Sequence, residues 1–254
     1  MLQPANLKAP EFLKQLIELE PDLMVVVAFR MLPKEVWSIP SLGTFNLHAS
    51  LLPDYRGAAP INWSIINQEK HSGVTTFFIN EEIDSGAILL QEKVDIETQD
   101  TAGSLHDKLA KKGSKLICNT IRGILKGSIS PKKQEVNGSE KAAPKLNKEN
   151  IFIDWDQPLD VIQAKIRGLS PYPGAKFNWI EDDKKSIIKI FKAEIVKENH
   201  PFDPKKVIIK NHKILITHPK GFLNCIILQF PNKKQMNAID LLNGNSFSDK
   251  VQVS

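Results

Sequence analysis

The chain has only two cysteines in 254 residues, Cys118 and Cys225. Neither sits in a CxxC spacing or beside a histidine, so the sequence offers no zinc-ligand pattern and no disulfide framework. Both occur in apolar surroundings and are expected to be buried free thiols. Long apolar runs are also missing. The most apolar stretch, residues 23–29, is far too short to span a bilayer, and no basic-then-apolar export pattern opens the chain. A cytoplasmic protein is therefore expected. With 13 glycines and no Gly-rich phosphate or dinucleotide fingerprint, nucleotide cofactors have no visible site. No internal repeat or coiled-coil heptad is present either.

The sequence does contain an uneven charge. The formal net charge of +5 divides into 12 basic against 15 acidic side chains in residues 1–125, 6 against 3 in 126–150, and 16 against 11 in 151–254. The excess lies wholly beyond residue 125, as in a polyanion-binding appendage joined to a neutral or acidic unit, although a lysine-rich solvated surface would give the same numbers.

At 41% hydrophobic content the chain is long enough for two domains. Pro10 can open a helix in which Phe12, Leu13, Leu16 and Ile17 recur at helical spacing. Residues 23–29 read as a strand buried on both faces of a mainly parallel sheet. Further strands are expected at 43–48, 74–79 and 88–94, with helices at 59–68 and from Asp100 to a stop at Gly127. Residues 128–150, poor in apolar side chains, read as a linker. Beyond it, residues 151–155 look strand-like and 159–167 helical. Short apolar runs between turn signals follow, which suits a small β-barrel or sandwich. Phe177, Trp155 and Trp179 are assigned to its core in preference to base stacking. His71, His106, His200, His212 and His218 read as surface or packing residues.

The chemistry-bearing stretch is Phe45-Asn46-Leu47-His48-Ala49-Ser50-Leu51-Leu52-Pro53. Residues two apart in a strand share a face, so Asn46 and His48 point the same way. An asparagine amide can donate to a developing oxyanion while a histidine exchanges a proton with the attacking group. A structural His–Asn pair is the competing reading. An orienting carboxylate would favour catalysis, and Asp84, followed by the turn-forming Ser85-Gly86, is the best candidate; a turn-forming Asp that bonds its own backbone is the alternative.

These residues, with Arg56-Gly57-Ala58-Ala59-Pro60, Gly73-Val74-Thr75 and Asp84-Ser85-Gly86, together resemble the formyltransferases that use 10-formyltetrahydrofolate, and among them the branch acting on methionyl initiator tRNA. Past the linker, Ile153-Asp154-Trp155, residues 167–173 and residues 236–242 resemble that branch's C-terminal domain. The resemblance implies an α/β fold in which an incomplete Rossmann-like formyltransferase domain (residues 1–127) precedes a small OB-like β-barrel that helps hold tRNA (residues 151–254). It implies catalytic Asn46, His48 and Asp84, and folate held against Ser50, Leu51, Leu52 and Pro53 with backbone near residues 30–32. It further implies 10-formyltetrahydrofolate as co-substrate, initiator methionyl-tRNA as acceptor, no metal and a monomer. The family's opening strand, its Gly-Thr-Pro-Glu-Phe-like turn, second strand and basic loop have no counterpart in this sequence, so a sheet lacking those strands is expected. Formyltransferases acting on glycinamide ribonucleotide or amino sugars share the Asn–His–Asp logic, and a non-catalytic RNA-binding remnant is the reading from a different class.

Overall fold

The computed structural model describes residues 1–28, 31–182, 184–245, 247–248 and 250–254. The chain divides into two compact units, the first built from Met1–Ile61, Lys70–Asp95 and His106–Lys145, the second from Asn62–Glu69, Ile96–Leu105 and Leu146–Ser254. No helix among the described residues is long and apolar enough to cross a membrane.

In the first unit, α1 (Pro10–Glu18) leads to β1 (Met24–Val27), α2 (Lys34–Trp37) and β2 (Thr44–His48). The short β3 (Arg56–Gly57) and α3 (Pro60–Ile66), most of which belongs to the second unit, precede the hairpin of β4 (His71–Phe78) and β5 (Ile88–Asp95). The main sheet has the order β1-β2-β4-β5. β1 pairs with β2 in parallel, but β2–β4 and β4–β5 are antiparallel, so the expected mainly parallel sheet is a mixed one. The nine-residue connection 79–87 is too short for a parallel crossover, which explains the β4–β5 direction.

The strand expected at 23–29 is shorter, and Phe29 lies outside the described residues. It is also not buried on both faces: Val25 and Val27 are 39% and 51% exposed. Its unbroken apolar run was read as a sign of cover on both sides, whereas β1 is the end strand of the described sheet and shows one apolar face to solvent.

The long amphipathic helix α4 (Ala102–Leu125) places Leu109 and Leu116 in the core. Gly113 permits a close approach to the sheet, since a Cβ there would lie 2.6 Å from a methyl of Leu47. The hydroxyls of Thr76 on β4 and Thr120 on α4 are 2.8 Å apart and buried. Cys118 on the same helix is free but exposed, contrary to expectation, because its position falls on the solvent side of the amphipathic repeat.

Part of the segment expected as a linker is paired with this unit. β6 (Ala142–Ala143) runs parallel to β3, and Lys132 bridges Ile88.

In the second unit, α5 (Leu159–Gly168) packs Ile162 and Ile166 into a core shared with Phe177, Ile188, Ile190, Ile214 and Ile216, all essentially solvent-free. The core is enclosed by β7 (Ala175–Glu181), β8 (Lys184–Val196), β9 (Val207–Lys210), β10 (Lys213–His218) and β11 (Gly221–Gln229). β12 (Met236–Asn237), α6 (Ala238–Asn243) and β13 (Gln252–Val253) complete the unit. Strand order is β13-β7-β8-β11-β10-β9, with β12 on β11. The final strand brings the two ends of the sheet together, because Val253 pairs with Trp179 on β7 while its N–H donates to Lys205 O at 2.9 Å, just before β9. The result is the expected small barrel. Trp155, Trp179 and Phe177 are buried in it. Residues 151–155 form one isolated bridge, Phe152 to Lys176, where a strand was expected; the alternation reflects buried Ile151, Ile153 and Trp155 along an extended segment.

Candidate active site

The first unit brings Asn46, His48 and Asp84 together. Asn46 and His48 stand two apart on β2, as the strand pleat requires, and β2 is held on both sides by β1 and β4. His48 is 6% exposed. Its Nε2 lies 2.8 Å from the carbonyl oxygen of Tyr55. A carbonyl only accepts, so this contact places a hydrogen on Nε2. Nδ1 is 3.6 Å from Oδ2 of Asp84. That spacing is close but beyond direct hydrogen-bond length.

Asp84 occupies the connection between β4 and β5 with a left-handed backbone, φ +52°. Asparagine and aspartate tolerate that region better than other side chains. The neighbouring turn is closed by Asn80, whose Oδ1 accepts from the Ser85 hydroxyl at 3.0 Å and from the Glu82 N–H at 3.2 Å. Gly86 is required there on steric grounds: a Cβ would fall 1.7 Å from Phe78 O. The Asp84 carboxylate is fixed by the backbone N–H of Gly57, which donates to Oδ2 at 2.9 Å. The carboxylate therefore serves a distant backbone group and faces His48.

Asn46 carries a buried Oδ1 with no hydrogen-bond partner. A buried amide oxygen without a partner costs on the order of 1–3 kcal/mol. Such a cost is tolerated mainly where the group has work to do.

The folate-binding stretch of the sequence reading is a tightly held loop. The Ser50 hydroxyl donates to Asp54 O at 2.6 Å and so ties the turn together. Thr75 on β4 donates to Ser50 O at 2.7 Å and accepts from Leu52 N–H at 3.1 Å. Gln91 on β5 donates to Leu52 O at 2.9 Å. Leu52 is buried, whereas Leu51 and Pro53 are partly exposed, so these two and the backbone are the surfaces this loop can offer a ligand. Of residues 30–32, Arg30 lies outside the described residues.

Two further residues belong to the site's surroundings, and one of them, Gln134, is not picked out by the sequence. Arg56 donates through Nε at 3.1 Å and Nη2 at 2.6 Å to Oε1 of Gln134. Gln134 in turn donates from Nε2 to Asp84 O at 2.9 Å and Gly86 O at 2.8 Å. Arg56 was visible within its motif, but Gln134 lies in the polar 128–150 stretch, where nothing local distinguishes it.

A strand-borne amide and imidazole beside a carboxylate suit transfer at a carbonyl carbon. Residues 1–121 match the formyl transferase family, and residues 145–246 match the formyl transferase C-terminal domain. The methionyl-tRNA formyltransferase of Flavobacterium johnsoniae is 49% identical over 253 residues, covering 100% of this chain and 80% of the relative. The chain belongs to the methionyl-tRNA formyltransferase family. The Bacteroides fragilis methionyl-tRNA formyltransferase is 44% identical over 96% of this chain and 77% of its own length. Among solved structures, HypX from Aquifex aeolicus in complex with tetrahydrofolic acid is similar at TM-score 0.69 and 20% identity, over 92% of this chain and 41% of that one, a likeness of fold. As a family member the chain is a formyl-transferring enzyme.

Proposed function

We propose that this chain transfers the formyl group of 10-formyltetrahydrofolate to the α-amino group of methionine carried by initiator tRNA, acting as a cytoplasmic monomer in translation initiation. The observation that carries this reading is the 49% identity to a methionyl-tRNA formyltransferase along the full chain. Residues 1–127 are assigned to catalysis. The basic excess beyond residue 125 supports a role for residues 128–150 and 151–254 in meeting tRNA phosphates, contacts that position without reading sequence.

In this reading the neutral amine attacks the formyl carbon. A new C–N bond forms, the bond to the folate nitrogen breaks, and the proton lost by the amine passes to the departing nitrogen. The Asn46 amide donates to the formyl oxygen as negative charge develops on it, an interaction strongest in the transition state. His48 carries the proton. To do so the ring holds its own hydrogen on Nδ1, facing Asp84, while the bare Nε2 exchanges Tyr55 O for the reacting nitrogen, takes the amine's proton and passes it to the departing folate nitrogen. Asp84 favours the cationic ring while the proton is in transit. The folate lies against residues 50–53, whose backbone Thr75 and Gln91 hold rigid.

The deciding experiment is a formyl-transfer assay with methionyl initiator tRNA and 10-formyltetrahydrofolate. Transfer that is lost in Asn46→Ala supports the reading. Transfer to an amino sugar nucleotide in preference to the tRNA would overturn its choice of acceptor.

A further inference from the structure

The catalytic groups proposed above depend on a three-residue brace, Tyr55-Arg56-Gly57. Tyr55 O receives Nε2 of His48, and Gly57 N–H holds the Asp84 carboxylate. Between them the Arg56 side chain is bound to Gln134 Oε1. The amide nitrogen of the same Gln134 holds the carbonyls of Asp84 and Gly86, on the loop that carries the carboxylate. One buried side chain, 6% exposed, thus joins the strand that fixes both functional groups to the loop that presents one of them.

The geometry points to Gln134 as a positioning residue that sets the His48–Asp84 register by clamping Asp84's backbone to Arg56. This inference rests on the functional reading above. Gln134 donates to the backbone carbonyl of Asp84, so it acts through the loop backbone. Both ends of its amide are needed. The oxygen must accept from a guanidinium and the nitrogen must donate to two carbonyls, a combination that glutamate cannot supply because an ionised carboxylate only accepts. Without the clamp, a left-handed aspartate in a nine-residue connection keeps, among the described residues, the Gly57 N–H and the contact with His48 to define where its carboxylate lies.

The test combines kinetics with NMR on the full chain. Gln134→Ala and Gln134→Glu are each made alone and in an Asp84→Asn background, with thermal unfolding as a fold check. A residue acting through Asp84 gives a non-additive cycle: Gln134→Ala alone lowers kcat by roughly 10- to 100-fold with both KM values within about threefold, and costs under about threefold once Asp84 is already Asn. Equal losses in both backgrounds, or a loss confined to KM, overturn the proposal. Gln134→Glu keeps the size and the acceptor for Arg56, so it decides the matter if the alanine variant fails to fold. Side-chain ¹⁵N shifts of His48 supply a readout independent of turnover. The Nδ1 signal, which reports the facing Asp84 carboxylate, moves in the Gln134 variants, and an unchanged pattern overturns the proposal. A starting protein that transfers no formyl group would defeat the functional reading, and the His48 spectra would still decide whether Gln134 holds the pair.

Discussion

Nε2 of His48 is bound to the carbonyl of Tyr55 at 2.8 Å, which leaves Nδ1 as the nitrogen turned toward the Asp84 carboxylate, 3.6 Å away. Both ring nitrogens therefore face groups that only accept hydrogen bonds. Asp84→Asn preserves size and keeps an oxygen for the Gly57 N–H, but removes the charge that opposes an imidazolium. By analogy with other carboxylate–histidine pairs, kcat is expected to fall on the order of 10²–10⁴-fold. Steady-state formyl transfer with both KM values measured checks this, and a kcat within threefold of the unmodified chain would remove Asp84 from the mechanism.

Asn46 offers a separate test, because its buried amide contributes by hydrogen bonding alone. Asn46→Ala should lower kcat by ~10²–10³. Loss of a polar group already short of one partner should leave thermal stability unchanged or slightly raised. Reduced activity together with a large drop in Tm would instead mark Asn46 as structural.

The grouping of the candidate site is legible in the sequence where its parts are local. Two polar side chains two apart in an otherwise apolar strand declare a shared face, and a Ser-Gly turn after Asp84 declares a reversal of direction. The barrel strands β7, β8, β10 and β11 are legible for the same reason, each being a local stretch in which apolar side chains alternate or cluster between turn signals. What stayed hidden is held by distant partners. Gln134 reaches Asp84 across fifty residues of chain, and β3 with β6 form a two-residue ladder that leaves no periodicity. β13 is equally short and exists because β7 and the segment before β9 both offer it hydrogen bonds. The exposed face of β1 was misread because an unbroken apolar run reports side-chain type and carries no information on whether a second layer covers it.

Gly57 tests the brace by sterics. Its backbone lies at φ +124°, and a Cβ would fall 2.5 Å from Ala143 O on β6. Strain and overpacking together should make Gly57→Ala cost about 2–4 kcal/mol. Urea unfolding at constant m-value is the measurement. Because the same residue's N–H holds Asp84, activity should drop further than the folded fraction does.

The two cysteines should differ sharply in reactivity. Cys118 is exposed on α4, while Cys225 is enclosed in the barrel and its thiol pKa is pushed up by burial. Since the thiolate is the reacting form, a disulfide reagent at pH 8 should titrate Cys118 quickly in the folded protein and Cys225 only after denaturant is added. Rapid labelling of both without denaturant would mean that the barrel opens on the timescale of the assay.

Lys165 on α5 provides a pH test of stability. It is half-buried, and burial lowers its pKa more than nearby Asp154 raises it. The folded state thus binds this proton more weakly than the unfolded chain, so stability rises with pH between the lowered folded value and the ordinary lysine value of about 10.4. At neutral pH the charged lysine is a cost. Lys165→Met should remove it, with a gain below about 1 kcal/mol because water still screens the half-exposed side chain. The advantage should shrink as pH climbs through the lysine range, where the unmodified protein sheds its proton. Urea unfolding of both proteins at pH 7 and pH 10.5 checks the sign. A methionine variant that is less stable at pH 7 would mean that the attraction to Asp154 outweighs the desolvation of the ammonium group.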